Sequence, residues 1–547
     1  MLANKDALYA AFLAKDPRFD GRVFVGISST KVYCRPVCRA KQAKKENCTF
    51  FASAAQAEQA GYRPCLVCRP ELAPGRAITD ASARLAVRAA RMLEERCGEA
   101  EGMSEIAAKL GTSDRHLRRV FQDEFGVPPV QYLQTSRLLL AKGLLTDTRL
   151  PVLEVAMASG FGSLRRFNDL FRRRYGIVPT DLRKPTGPKN VADAPVTLRL
   201  GYRPPYRWEA MLSFLEGRAI SGVEAVRDGE YLRTVSLPSP GNDGGRVTGW
   251  LKVGNVADRN AISVTASETL MPVMPQVLSK VRRLFDLYCD PEAVYGALGS
   301  MNRIAPGLCL PGTRVPGAFD AFETAARAIL GQQITVRAAG TLASRIAEEL
   351  GEPVDTGIEG LARSFPGPES LAAMSGMPSG TGRESDGGAP QRTGRGPDRG
   401  KPVSSGHGPD HGDSGRSGRG PAHVHPPGSL EDCLGRLGVV SARSRAIGSL
   451  AEAVARGEVD LDLPQDPEEE MKKLTAIHGI GSWTAGYIGM RTGGWPDIFL
   501  ETDAGIRKAL PGRSPGELVK LAEEWRPWRS YATMNLWNSL SRKEEPK

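Results

Sequence analysis

Four cysteines, and a pair of glycines followed by a carboxylate, are the residues of this chain whose types and spacing could do chemistry. Cys34 and Cys38 have three residues between them, and Cys65 and Cys68 have two. Two short chelating pairs can close around one tetrahedral zinc ion, which holds its sulfurs as thiolates, the nucleophilic form. Much later, Leu474-Thr475-Ala476-Ile477-His478-Gly479-Ile480-Gly481-Ser482-Trp483-Thr484-Ala485 sets Gly479 and Gly481 between two helix-like runs, and Glu501-Thr502-Asp503 follows. Taken alone, the glycines fit a helix C-cap. They also fit a turn brought close to a phosphodiester, its backbone N–H groups facing the anion.

The rest of the composition bounds what those residues can serve. With 547 residues the chain is too long for one core, so several domains are expected. A net charge of +11 and a pI near 9.2 suit a polyanionic partner. Of nine cysteines, four cluster at metal-ligand spacing, which favours a reducing compartment over a disulfide framework. The first residues, Met1-Leu2-Ala3-Asn4-Lys5-Asp6, lack the pattern of a signal peptide. No apolar run approaches the roughly 20 residues needed to span a bilayer. A cytoplasmic, nucleoid-associated protein without membrane contact is expected.

The elements that must position the chemistry read as a multidomain α/β plus α chain. Residues 1–75 hold the cysteines, with a strand-like Thr30-Lys31-Val32-Tyr33 and with Cys48 as a spare buried thiol. Residues 80–185 read as helical and contain one design twice. Ser104 to Phe125 gives helix, turn and helix, with Thr112 or Ser113 as N-cap and Leu117, Val120 and Phe121 inward. Val152 to Tyr175 repeats it, with Leu164, Phe167, Leu170 and Phe171 inward. A linker at 186–195 leads to a mixed α/β domain over 196–312, with strands expected at Tyr231–Leu237 and Val247–Val253. An all-α domain over 313–547 is interrupted at 376–429 by a Gly-, Pro-, Ser- and Arg-rich insert. That insert cannot bury enough apolar surface to fold. His407, His411, His423 and His425 fall in it and read as disordered surface rather than metal ligands.

Three resemblances follow from these residues. Phe19-Asp20-Gly21, the Thr30–Tyr33 stretch, Ala60-Gly61-Tyr62-Arg63-Pro64 and the four cysteines resemble the N-terminal domain of the Ada adaptive-response family over most of residues 8–72. The resemblance implies one Zn2+ held by Cys34, Cys38, Cys65 and Cys68, with Cys34 taking a methyl group from a DNA methylphosphotriester. Methylation would turn a thiolate into a thioether and remove one negative charge beside the phosphate backbone. Arg35, Arg39, Lys41, Lys44, Lys45, Arg63 and Arg69 are then expected to meet that backbone. The paired helix-turn-helix units, ending Gly176-Ile177-Val178-Pro179, resemble the AraC-type DNA-binding domain, which implies that Arg115, Arg118, Arg165, Arg166 and Asn168 face a major groove.

The Leu474–Asp503 stretch resembles the helix-hairpin-helix DNA glycosylases, and within them the AlkA-type 3-methyladenine glycosylases. The resemblance implies that Gly479 and Gly481 bind DNA. It makes Asp503 the catalytic carboxylate, stabilising an oxocarbenium-like sugar as the N-glycosidic bond breaks. Bifunctional relatives such as endonuclease III place a Schiff-base lysine where this chain has Trp483, so a monofunctional enzyme is implied. Trp483, Tyr487, Trp537 and Phe214 match the aromatic base pocket, where a cationic alkylated base would gain cation–π stabilisation. Gln333, in a stretch read as helical, falls where the archetype wedges a leucine into the gap left by the flipped base. Ala504 departs from a tyrosine and His478 from a proline. A monovalent cation is implied at the carbonyls of Thr475, Ile477 and Ile480. No Pro-Cys-His-Arg methyltransferase motif occurs, and no cysteine follows Cys433 to hold an iron–sulfur cluster.

The combined expectation is a monomeric fusion of methylation sensor, DNA-binding module and alkylbase glycosylase. Its expected partners are damaged double-stranded DNA, promoter DNA and RNA polymerase. Two rivals are a transcription factor with an inert glycosylase-like clamp, and a glycosylase tethered by a purely structural zinc.

Overall fold

The computed structural model describes residues 5–74, 81–95, 103–183, 195–240, 245–375, 428–462 and 466–543. But for their last residues, the expected linker at 186–195 and insert at 376–429, with its four histidines, lie outside the described residues.

A four-stranded sheet frames the cysteines. Its order is Cys48–Phe51, Phe24–Ile27, Val32–Cys34, Arg63–Pro64. Phe24, Val25 and Ile27 supply the aromatic and β-branched side chains that suit a pleated surface, and all three are buried. Val32–Cys34 pairs in parallel with Arg63–Pro64, and the Cys65 N–H donates to the Tyr33 carbonyl at 3.0 Å. That pairing brings the two cysteine pairs side by side. Cys48 is buried, as expected, its thiol 3.3 Å from the Lys44 carbonyl.

The two helix-turn-helix units form as read. Ser113 caps Asp114–Phe125 and Ser163 caps Leu164–Tyr175, each hydroxyl accepting from the N–H three residues on. Gly126 (φ 73°) and Gly176 (φ 69°) end the helices in the left-handed region. Leu117, Phe121 and Phe125 on one helix, and Phe167, Phe171 and Tyr175 on the other, repeat every four residues and are buried. Val120 and Leu164, expected in the core, are only half-buried. Each sits three residues from a core position, on the flank of the apolar stripe, and packs against the core's edge.

Residues 195–266 build a five-stranded antiparallel sheet in the order Val196–Gly201, Ala261–Ala266, Arg246–Val256, Glu230–Pro238, Glu224–Arg227. Its core runs on into the second helix-turn-helix unit and into the C-terminal helix Arg529–Lys543. Helices Ala321–Leu330, Val336–Leu350, Ser441–Ala455, Pro467–Ala476 and Ser482–Arg491 close a second core with Ile220 and Val223. Trp208–Glu216 lies beside both and carries Phe214 to the seam. No helix among the described residues is long and apolar enough to cross a membrane.

Buried polar links tie the cysteine segment to its neighbours. Glu58 accepts from the hydroxyls of Tyr33, Tyr175 and Thr135 at 3.1, 3.2 and 2.9 Å. Lys142, 1% exposed, ion-pairs with Glu71 at 2.6 Å. The buried Arg203 guanidinium donates to the Asp20 carbonyl at 2.9 Å and to the Tyr288 carbonyl at 3.2 Å.

Candidate functional site

A cleft of about 1270 Å³ lies where the two large cores meet, and it gathers residues from across the chain. Phe214, Gln333, Trp483, Tyr487, Asp503 and Trp537 all line it. The rings pair off: Trp483 and Tyr487 stack with centroids 5.4 Å apart and planes 10° apart, and Phe214 and Trp537 stack at 6.5 Å and 16°. Asp503 is the N-cap of Ala504–Ala509, its Oδ1 accepting the Ile506 N–H at 2.9 Å. Two indoles also donate to this carboxylate. Trp537 Nε1 lies 2.8 Å from Oδ1 and Trp483 Nε1 lies 3.1 Å from Oδ2. Asp503 is thereby 9% exposed yet at the cleft wall.

Arginines in the cleft were not read from the sequence. The Arg218 guanidinium sits 3.7 Å from the Phe214 ring centroid, and that of Arg491 sits 4.8 Å from Phe214 and 5.5 Å from Tyr487. Arg491 also donates to the Tyr487 hydroxyl at 2.5 Å and to the Gly317 carbonyl at 3.0 Å. Burial pushes the Tyr487 phenol up, but the positive charges of Arg491, Arg218 and Arg327 outweigh it and bring it down to about 8. The aromatic pocket thus carries protein cations of its own over Phe214 and Tyr487. A signal was present: each arginine follows its aromatic by four residues, the spacing that stacks side chains along a helix.

Gln333 is also corrected in conformation. It lies not in a helix but in the turn between Ala321–Leu330 and Val336–Leu350, left-handed at φ 57° and exposed. Its neighbour Gln332, which sequence reasoning passed over, staples this turn to the hairpin. Gln332 Nε2 donates to the Gly479 carbonyl at 2.8 Å and to Thr484 Oγ1 at 3.1 Å, while Arg443 donates to the Gln332 carbonyl.

The hairpin itself links Pro467–Ala476 to Ser482–Arg491 and is exposed at His478, Gly479 and Gly481. Gly479 has φ 91°, a conformation that side chains disfavour, and a Cβ there would meet Ala446 at 3.0 Å. Gly481 differs. Its φ is −84°, it begins the Ser482–Arg491 helix, and a Cβ would meet nothing within 4 Å. Nothing among the described residues requires a glycine at 481.

The four sulfurs of Cys34, Cys38, Cys65 and Cys68 lie within 4.8 Å of one another. Bonds of about 2.3 Å to a tetrahedral zinc would set sulfurs about 3.8 Å apart, so the cluster fits the ion. Backbone N–H groups of Arg35 and Val67 point at Cys68 Sγ and Cys65 Sγ at 3.3 and 3.4 Å, as suits thiolates. The basic residues around it divide. Lys41, Lys44, Lys45 and Arg39 are exposed. Arg35 and Arg69 turn inward, against expectation: Arg35 ion-pairs with buried Asp20, and Arg69 pairs with Asp147 at 2.7 Å and Glu71 at 2.8 Å. Each of these partners is partly or wholly buried, and an unpaired carboxylate there would be costly. On the helices after the turns, Arg115, Arg118, Arg165, Arg166 and Asn168 are exposed, with Arg118 paired to Asp114 at 2.8 Å.

A four-cysteine zinc site, two helix-turn-helix units with exposed basic faces and a carboxylate in an aromatic cleft beside a glycine hairpin define a DNA-binding repair protein of several modules. The metal-binding domain of Ada matches residues 7–71, a helix-turn-helix domain residues 106–185, and the AlkA N-terminal domain residues 197–320. The chain is 33% identical to the "Probable bifunctional transcriptional activator/DNA repair enzyme AlkA" of Mycobacterium tuberculosis over 545 residues, 97% of this chain and 96% of that protein. It is 35% identical to "DNA-3-methyladenine glycosylase 2" of Escherichia coli over 62% of this chain and 95% of that protein. It is 34% identical to the "Bifunctional transcriptional activator/DNA repair enzyme Ada" of Escherichia coli over 24% of this chain and 36% of that one. The chain belongs to the AlkA/Ada-type family of bifunctional transcriptional activators and DNA repair enzymes.

Proposed function

We propose that this protein excises alkylated bases such as 3-methyladenine as a monofunctional glycosylase, and that Cys34 accepts a methyl group from DNA methylphosphotriesters to activate transcription. The observation that carries the first half is the Asp503 carboxylate standing in the wall of an aromatic cleft beside an exposed glycine hairpin. As the N-glycosidic bond breaks, its electron pair leaves with the base, and Asp503 offsets the positive charge on the sugar. Water then adds to the anomeric carbon and releases a proton to solvent. Trp483 and Trp537 flank the base, Phe214 and Tyr487 line the far side, and Gln333 enters the gap in the duplex from its exposed turn. Open space at Gly481 supports close approach of a phosphodiester. A monovalent cation at the Thr475, Ile477 and Ile480 carbonyls belongs to the same reading.

Zinc, when bound, keeps the four sulfurs as thiolates. The Cys34 thiolate attacks the methyl carbon of the phosphotriester, the carbon–oxygen bond breaks, and the phosphodiester leaves with the electron pair. Arg115, Arg118, Arg165, Arg166 and Asn168 contact promoter DNA, and the activated monomer engages RNA polymerase. Residues 1–75, 80–185, 196–312 and 313–547 act as the modules of this scheme. Release of free base from methylated DNA, without strand cleavage, tests the enzymatic half. Borohydride should not trap the protein on DNA, because Trp483 offers no amine. A stoichiometric trapped complex would overturn the monofunctional reading.

A further inference from the structure

The hydrogen bonds around Asp503 assign work to the indoles beyond flanking a base. An ionised carboxylate offers about four lone-pair sites, two on each oxygen. Oδ1 takes two donors, the Ile506 N–H at 2.9 Å and Trp537 Nε1 at 2.8 Å. Oδ2 takes one, Trp483 Nε1 at 3.1 Å. Each indole is donor-only and rigid, so it fixes the carboxylate plane without competing for a proton. The donors come from three helices, Ser482–Arg491, Ala504–Ala509 and Arg529–Lys543, and converge on one group.

A glycine makes the strongest of these contacts possible. A Cβ on Gly505 would lie 2.9 Å from Trp537 Cδ1, 3.1 Å from Trp537 Nε1 and 3.0 Å from Asp503 Oδ1. The first is closer than real Cβ atoms come and the other two are tighter than nearly all of them, so a larger residue at 505 requires the indole or the carboxylate to shift out of this arrangement. Gly505 does not need its glycine for a left-handed backbone, since its φ is not positive.

We propose that Trp537 and Trp483 are positioning residues for the glycosylase reaction, saturating Oδ1 and leaving a single lone pair of Oδ2 to face the deoxyribose. The proposal rests on the reading of Asp503 as the catalytic carboxylate. The same rings that would flank the base therefore hold the catalytic oxygen, so base placement and sugar stabilisation are set by one rigid unit.

The test is single-turnover release of alkylated base from methylated duplex DNA, with affinity for abasic-site DNA measured in parallel. Trp537→Phe keeps the aromatic face and removes the donor. Its maximal rate should fall on the order of 10-fold while affinity for abasic-site DNA stays within about twofold. In an Asp503→Asn background the same substitution should cost nothing further, because the indole acts through the carboxylate. Gly505→Ala, which keeps both indoles and the carboxylate, should reproduce the Trp537→Phe loss, and it carries the test if Trp537→Phe fails to fold. The proposal is overturned if Trp537→Phe and Gly505→Ala excise at the wild-type rate. It is equally overturned if the Trp537→Phe loss multiplies undiminished onto Asp503→Asn, which would leave stacking alone. Wild-type excision by Asp503→Asn itself would instead remove the catalytic assignment on which the proposal stands.

Discussion

The cysteine cluster and the aromatic cleft solve the problem of holding reactive groups in opposite ways. Cys34, Cys38, Cys65 and Cys68 come from one short segment, joined by a parallel strand pair, and one ion can hold them. Phe214, Trp483, Asp503 and Trp537 come from four separate helices or helix caps, Phe214 far from the others in the chain, and only packing and hydrogen bonds hold them. Charge follows the same division. Beside the cysteines, Arg35 pairs with Asp20 within the segment, and Arg69 pairs with Asp147 and locks the segment to its neighbour. In the cleft, Arg218 and Arg491 lie against aromatic rings and form part of the pocket wall. A site held by a metal can spend its flanking charges on docking, whereas a site held by packing needs its flanking residues for the wall itself.

The largest effect that would break this comparison lies in the cleft. Asp503→Asn should lower excision on the order of 10²-fold or more while DNA binding persists, because the amide keeps the shape but not the charge. Excision rates and gel-shift affinities on methylated duplex check both halves. Next comes the metal-held site. Methylation of Cys34 removes one negative charge near the backbone. At an effective dielectric near 20 and a separation of about 8 Å that repulsion is about 2 kcal/mol, or roughly 30-fold in operator affinity before screening. Operator affinity before and after exposure to methylphosphotriester DNA, at two salt concentrations, measures it. No change at low salt would leave the zinc purely structural.

A smaller effect sharpens the hairpin. Gly481→Asp supplies a better N-cap in open space but sets a carboxylate against the phosphate path. DNA affinity should fall on the order of 10-fold with no loss of thermal stability. A fall in Tm would mean that 481 needs its glycine for the fold. The smallest effect concerns the docking of the cysteine segment. Burial raises Glu58 from 4.5 to about 7, against the lowering by its hydroxyl donors. Its protonated form is favoured in the fold, so this contribution is complete below pH 4.5 and is lost as pH rises through about 7. Glu58→Gln should flatten that dependence, changing the Tm difference from wild type by about 2–5 °C between pH 5 and pH 8. Calorimetry at the two pH values reads it, and parallel curves would exclude the buried carboxyl as the cause.

Local patterns were legible because their causes lie within a few residues. Ser113 and Ser163 cap helices through the N–H three positions on, and the four-residue spacing of Phe167, Phe171 and Tyr175 buries one face. The strands expected at 231–237 and 247–253 form, each slightly longer. Gln333 was misread as helical because a lone glycine is tolerated inside a helical pattern, yet Gly331 is the C-cap that ends Ala321–Leu330, a stop that a proline would have marked more sharply. Which of the two glutamines staples the hairpin depends on Gly479 and Thr484, far along the chain. The inward turn of Arg35 and Arg69 depends on Asp20 and Asp147, and a charge run carries no mark of which members will find a buried partner.

By itself the sequence determined the metal chemistry, the repeated helix-turn-helix design and the glycine hairpin with a carboxylate beyond it. Each is written in spacings shorter than one turn or one supersecondary unit. Only the tertiary structure decided that Trp483 and Trp537 grip Asp503, that Arg491 also reaches Phe214, and that Gly505 leaves room for the Trp537 indole. Those contacts join side chains whose separation in the chain bears no relation to their separation in space. They exist because packed cores bring helix faces within hydrogen-bond reach, where burial makes every unpaired polar group costly and so selects its partner.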